Sequence, residues 1–153
     1  MKNVFIGAGP ANIYCIDELL ERGVKGSDIL VIEKGKDPYK RLRKEVMNGF
    51  LGAGAYSDFK MIYSLTRGGE LVKYIGEDRA KEMIPLVKRV VRKYHPRTEK
   101  IETSGIVQID HDLESSVLKN FNILQAESEH IGTDYAIEIG KNIYNNLINK
   151  GVK

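Results

Sequence analysis

The run Gly7-Ala8-Gly9-Pro10-Ala11-Asn12 constrains this chain most, because of what stands on either side of it. Before it, Asn3-Val4-Phe5-Ile6 is a short apolar run that stops at a glycine, which is how a buried parallel strand reads. After it, Pro10 suits the first turn of a helix, where its missing N–H costs nothing. That helix is predicted to run to about Arg22. Ile13, Ile16 and Leu20 share one face, Asp17, Glu18 and Glu21 lie elsewhere, and Gly23 stops it. A second apolar strand, Ile29-Leu30-Val31-Ile32, follows and ends at Glu33. Strand, helix, strand in this order predicts a βαβ unit with parallel strands and a right-handed crossover.

A glycine turn between strand and helix has a chemical use. Gly7 supplies the tight turn. Gly9 leaves the backbone bare where a pyrophosphate approaches the free N–H groups of the helix start. The third position of such a motif normally holds Gly or Ala for close helix–strand packing, and here it holds Asn12. Glu33 stands at the expected distance for a carboxylate that accepts hydrogen bonds from both ribose hydroxyls of an adenosine. Its charge would repel a 2′-phosphate, which disfavours NADP in this position. The bland alternatives are an incidental turn and a solvated acid at a strand end.

The chain has 153 residues, 42% of them hydrophobic, enough for one ordinary domain with a real core. Lys and Arg number 24 against 21 Asp and Glu, and a net charge of +3 gives no reason to expect nucleic acid as a partner. A single cysteine, Cys15, excludes an internal disulfide, points to a cytoplasmic setting, and reads as an inert thiol buried in the first helix. No apolar stretch is long enough to predict a membrane span, and Lys2 with Val4-Phe5-Ile6 is too soon interrupted to be a secretion signal.

Beyond Gly35 the character changes. Lys34, Lys36, Lys40, Arg41, Arg43 and Lys44 make a basic stretch, followed by a glycine-rich loop from Gly49 to Asp58 and a glycine pair at Gly68-Gly69. Glu77 to Tyr94 has the spacing of an amphipathic helix, with Ala80, Ile84, Val87, Val91 and Tyr94 on one side and a kink or broken first turn expected at Pro85. Lys88, Arg89, Arg92, Lys93 and Arg97 read as a solvent-facing basic surface. Ile106 to Ile109 and Phe121 to Leu124 are weak strand signals, and Leu113 to Lys119 a weak helix signal. The last helix is clear, from Asp134 to Lys150, with Ile137, Tyr144 and Ile148 on one stripe and Ala136, Ile139, Ile143 and Leu147 on the next. A face that wide is expected to be covered on two sides. Gly151 caps the helix.

Four blocks together resemble the N-terminal third of the bacterial and archaeal FAD-dependent dehydrogenases of the glutathione-reductase-like superfamily. They are Gly7 to Asn12, Val31-Ile32-Glu33-Lys34-Gly35, the loop Gly49 to Lys60, and His130-Ile131-Gly132-Thr133-Asp134. The middle block of that family resembles Gly-Phe-Gly-Gly-Ala-Gly-Ala-Phe-Ser-Asp-Gly-Lys. Leu51 and Phe59 stand where it has glycine, and a cysteine expected just before the block is absent. The resemblance implies an α/β fold class: a Rossmann-like FAD/NAD(P)-binding βαβ unit with parallel strands, followed by mixed helical segments and incomplete as it stands. It implies FAD as cofactor, with Gly7, Gly9, Pro10, Ala11, Glu33 and Lys34 on the adenosine diphosphate side. Gly52, Ala53, Gly54 and Ser57 would lie near the flavin ring or its ribityl chain; the alternative is a glycine-rich surface loop.

The expected organisation is a single domain in which 1–35 is the nucleotide-binding unit, 36–132 an inserted loop and helical region, and 133–151 a helix leading to a missing third strand. The expected function is the FAD-binding segment of a flavin-dependent oxidoreductase, with NAD(P)H as a partner of the complete enzyme and no turnover by this chain alone. The uncovered face of the last helix would favour self-association or a partner chain. The alternative is a non-catalytic nucleotide-binding or interaction module. Asp110-His111-Asp112 lacks a second ligand cluster and reads as a turn rather than a metal site. His130, Thr133 and Asp134 read as a turn and helix cap.

Overall fold

The computed structural model describes residues 2–65, 67–105 and 126–153. It is a mixed α/β structure with two separate sheets. β1 (Asn3–Ile6), α1 (Pro10–Glu21) and β2 (Ile29–Ile32) form the first unit, and β1 and β2 pair in parallel with Asn3 opposite Ile29 and Ile6 opposite Ile32. Gly23, at φ +86°, ends α1 with the Val24 N–H bonded back to Leu19 O at 3.0 Å.

Three helices pack over one face of this sheet, and the core lies between them. α1 contributes Ile13, Ile16 and Leu20; α3 (Glu77–Tyr94) contributes Val90, Val91 and Tyr94; α4 (Thr133–Asn149) contributes Ala136, Ile139, Ile143 and Leu147. Phe5 and Val31 point into this core, whereas Val4, Ile6 and Ile32 on the opposite face are 56%, 81% and 52% exposed. The strands therefore read as fully buried but are covered on one face only. Apolar composition reports that a strand suits burial, not that a second layer is present to bury it.

α4 ends at Gly151, φ +87°, with Val152 N–H donating to Leu147 O at 3.0 Å. Lys153 then lies along the free edge of β2. Its N–H donates to Ile29 O at 3.1 Å, and Val31 N–H donates to Lys153 O at 2.6 Å. That alternation is the bond pattern of a parallel bridge opposite Leu30.

The second sheet has no counterpart in the sequence reading. β3 (Lys60–Tyr63), β4 (Glu102–Ser104) and β5 (Glu127–His130) form an antiparallel sheet in the order β3-β5-β4, with Lys60 and Glu102 both opposite His130. A short helix, α2 (Leu71–Ile75), precedes α3. His130 is therefore the last residue of a strand. The cap of α4 is Gly132, with no side-chain cap bond, so the turn-and-cap reading of His130, Thr133 and Asp134 is corrected.

Three further expectations are corrected. Cys15 is exposed, because it faces away from the Ile13–Ile16–Leu20 stripe. Helix α3 is continuous from Glu77 to Tyr94 with the exposed Pro85 inside it, so no turn is broken there, and its buried side is Ala80, Val90, Val91 and Tyr94, with Ile84 and Val87 only half-buried. The basic side of α3 is not a free surface. Lys88 bonds Glu127, Arg89 bonds Glu18 and Arg92 bonds Glu129, while Lys93 reaches Asp17 at 2.9 Å and Glu21 at 2.6 Å. These cations tie α3 to α1 and β5. Two acceptors are fully buried, Asp17 and Glu129, each also taking a tyrosine hydroxyl: Tyr94 at 2.5 Å and Tyr63 at 2.8 Å. The weak signals at 106–109, 113–119 and 121–124 and the Asp110-His111-Asp112 run lie outside the described residues.

Candidate functional site

The turn after β1 is built by main-chain bonds. Gly7 adopts φ +90°, a left-handed conformation that costs glycine little, and its N–H donates to Ile32 O at 2.7 Å. Gly9 is the cap residue of α1, in extended conformation at φ −72°, and Pro10 is the first helical residue. Nothing lies within 4 Å of where a Gly9 Cβ would sit, and no acceptor among the described residues takes its N–H. Asn12 repairs the turn it departs from: its amide Nδ2 donates to Ile6 O at 3.0 Å and Gly7 O at 2.9 Å, fastening the end of β1.

Glu33 closes onto this turn. One carboxylate oxygen accepts from Ala8 N–H at 2.6 Å and the other from Gly35 N–H at 2.7 Å. It is therefore a fixed member of the turn and not a loose acid at a strand end. Partial burial pushes its carboxyl upward, but the donations from Ala8, Gly35 and Gly49 outweigh that and hold it below the usual glutamate range. A depressed folded value means its stabilising contribution is present above the usual range and is lost only as pH falls through the lowered value. Gly35 has to be glycine here, because an added Cβ would fall 2.3 Å from Gly49 N.

The glycine-rich loop returns to the same place. Leu51 N–H donates to Ala8 O at 2.7 Å, and Gly52 lies over Pro10, 3.3 Å from a Gly52 Cβ position to Pro10 Cδ. Leu51 and Phe59 both have positive φ, +66° and +47°, and both are buried. The backbone thus keeps the left-handed conformation that glycine favours at these two positions, and core burial of the two side chains offsets its cost. Ala53–Tyr56 is a 3₁₀ turn that places Ala55 against Gly140 of α4, with Ser57 N–H bonded to Gly54 O at 3.4 Å.

A groove of about 240 Å³ opens beside Glu33, walled by Ala8, Gly35, Phe50, Tyr144, Leu147 and Val152. Two carboxylates, Glu33 and Asp37, and two cations, Lys36 and Lys153, line it among the apolar and aromatic walls, and the helix start lies beside it. A larger cavity of about 550 Å³ shares Gly35 and Lys36 with it and is lined by Lys34, Lys44 and Glu45. The structure brings Gly7, Gly9, Pro10, Glu33 and Gly52 together. Ala11 faces solvent on the first turn of α1, Lys34 lines the neighbouring cavity, and Ala53, Gly54 and Ser57 lie in the turn leading away toward α4.

Sequence reasoning missed two members of this constellation. Tyr144 reads in sequence as part of a helix stripe, and its position one turn before the exposed Ile148 is the signal that marks the less covered edge of α4. Arg41 was one of several basic residues, yet it alone among the cations of 34–44 is buried. Its guanidinium donates to the main-chain oxygens of Glu45 at 2.9 Å, Val46 at 2.6 Å and Phe50 at 2.9 Å, and lies 4.1 Å over the Tyr56 ring. No signal short of the folded loop distinguishes it.

No helix among the described residues is long and apolar enough to cross a membrane. No family model matches the chain, and no curated protein matches it. Among solved structures it has a distant likeness to a thermally stable mutant of fructosyl peptide oxidase, at 20% identity and a TM-score of 0.39, over 99% of this chain and 40% of that one. The chain therefore spans 40% of the length of that protein.

Proposed function

We propose that the groove at Glu33 takes the adenosine diphosphate half of FAD, and that the chain is the FAD-binding N-terminal part of a flavin-dependent oxidoreductase with a Rossmann-type βαβ unit. One observation carries this reading: the Glu33 carboxylate, a helix-start N–H at Gly9 with no acceptor among the described residues, and a groove lined by apolar and aromatic residues together with Lys36, Asp37 and Lys153 meet at the end of a parallel βαβ unit. The two Glu33 oxygens offer about four acceptor sites, of which Ala8, Gly35 and Gly49 use three, and the one left would take a ribose hydroxyl. Gly7, Gly9, Pro10 and Ala11 would face the diphosphate, and Lys34 would add positive charge beside it. Gly52, Ala53, Gly54 and Ser57 would border the flavin end. FAD, when bound, supplies two-electron redox chemistry; the residues named here bind and orient it. NAD(P)H is the corresponding reductant of a complete enzyme.

A second reading is a nucleotide-binding module without catalysis. Leu51 and Phe59 favour it, because they depart from glycine within the block assigned to the flavin side.

The test is binding by the purified chain. ADP should bind, and Glu33→Ala should weaken it by about tenfold or more, the worth of one or two hydrogen bonds to a charged acceptor. Equal affinity for ADP and its 2′-deoxy analogue in the wild type would refute the ribose role of Glu33. Retained FAD, with an absorbance band in the blue, supports the flavoprotein; ADP binding without FAD retention supports the module.

A further inference from the structure

Arg41 does not itself line the groove, but it holds Phe50, which does. The Phe50 carbonyl that accepts from its Nη1 belongs to the same peptide unit as the Leu51 N–H, which donates to Ala8 O at 2.7 Å. The Ala8 carbonyl in turn belongs to the same peptide unit as the Gly9 N–H. In a planar trans peptide the C=O and N–H point in opposite directions. Three groups are thus connected in line: the guanidinium, the 50–51 peptide and the 8–9 peptide, ending at the Gly9 N–H.

We infer that Arg41 is a positioning residue for the diphosphate: through these two peptide planes it sets the direction and the donor strength of the Gly9 N–H. This rests on the nucleotide reading above. Fixing Phe50 O fixes the plane of the 50–51 peptide, and the Leu51 N–H then holds Ala8 O so that the Gly9 N–H turns away from the loop, into the open space in front of α1. Hydrogen bonds in such a chain polarise one another, and a cation at the acceptor end of the first peptide makes each successive N–H a stronger donor. Two features argue that the arrangement is specific to Arg41. The hydrogen-bond acceptors of its guanidinium are main-chain oxygens, and the carboxylates of Glu33 and Glu45 act on it only through space. The peptide it holds includes Leu51, whose left-handed φ needs an external restraint to persist in a residue other than glycine.

The experiment uses the full chain with Arg41→Met, which keeps the stem and removes donors and charge, and Arg41→Lys, which keeps the charge and one point of contact. ADP and adenosine binding are measured by calorimetry, and the Gly9, Leu51 and Ile143 amides are followed by nitrogen–proton NMR without ligand. In Arg41→Met the Gly9 and Leu51 amide signals should move while Ile143 stays. ADP affinity should fall by about tenfold or more, adenosine affinity should hold within about threefold, and Arg41→Lys should restore part of the loss. A merely structural role would weaken ADP and adenosine alike. A folded Arg41→Met chain with unmoved Gly9 and wild-type ADP affinity overturns the inference. If Arg41→Met does not fold, Arg41→Lys decides by the same two readouts. If the wild type binds no ADP, the nucleotide reading fails, and the Gly9 signal alone decides whether Arg41 sets that peptide.

Discussion

The parallel unit of β1, α1 and β2 and the antiparallel sheet of β3, β4 and β5 are held together by different means. In the parallel unit the backbone does the joining: Gly7 to Ile32, Ala8 and Gly35 to Glu33, Leu51 to Ala8. Its side chains near the groove are small or absent, which leaves the space at Gly9 open. In the antiparallel sheet side-chain bonds add to the strand pairing. Tyr63 and Arg92 converge on the buried Glu129, Lys88 bonds Glu127, and Ser104 and Ser128 meet at 2.5 Å across the strands. A site of the kind proposed, binding through main-chain N–H groups, would leave little for mutation to remove except space. A sheet stapled by buried charge is exposed to the loss of any one partner.

That contrast predicts where each kind of substitution registers. The largest effect should come from Glu129→Ala, which strands the Tyr63 hydroxyl in the interior and leaves Arg92 without its acceptor. Breaking a buried ion pair from one side costs about 3–5 kcal/mol, and the half-exposed Arg92 places this case at the lower end, about 3 kcal/mol. Urea unfolding should show that loss, while ADP affinity of the remaining folded protein stays at the wild-type value. A matching loss of affinity would mean that the two regions are not separable.

Gly9→Val should do the reverse. The extended φ of −72° and the open Cβ position admit valine without a clash, so unfolding stability should change by less than about 1 kcal/mol. Its methyl groups would stand where the proposed diphosphate would approach. ADP affinity should fall by about two orders of magnitude, roughly the worth of one or two charge-assisted hydrogen bonds. Unchanged affinity in a folded Gly9→Val chain removes the helix start from the site.

The smallest of the three effects tests the join between the regions, at Leu51. Leu51→Gly relieves a left-handed backbone worth about 1–2 kcal/mol but deletes a fully buried side chain worth about 2–5 kcal/mol. Burial should win by about 1–2 kcal/mol, read as a lower unfolding midpoint. A more stable Leu51→Gly chain would show that strain, not packing, dominates this loop.

The sequence by itself determined the first unit nearly residue by residue. Apolar strands, a glycine turn with proline behind it and a glycine stop are local signals, and local backbone preference is enough to place β1, α1, β2 and the long helix α4. The same local signals put Gly7, Gly9 and Glu33 in one neighbourhood. Only the tertiary structure decided the rest. The strands of the second sheet read Lys-Met-Ile-Tyr, Glu-Thr-Ser and Glu-Ser-Glu-His, two of them without an apolar face, and they exist because partners far along the chain satisfy them: Arg92 for Glu129, Lys88 for Glu127. Arg41 looks like its neighbours Lys40 and Arg43 until the loop folds around it. Cys15 is exposed and Ile6 uncovered because exposure depends on which layers arrive, not on the residue's own character. Hydrophobic periodicity and turn chemistry act over a few residues and can be read in one dimension. Charge pairing and coverage act between distant segments, and only the folded chain brings those segments together.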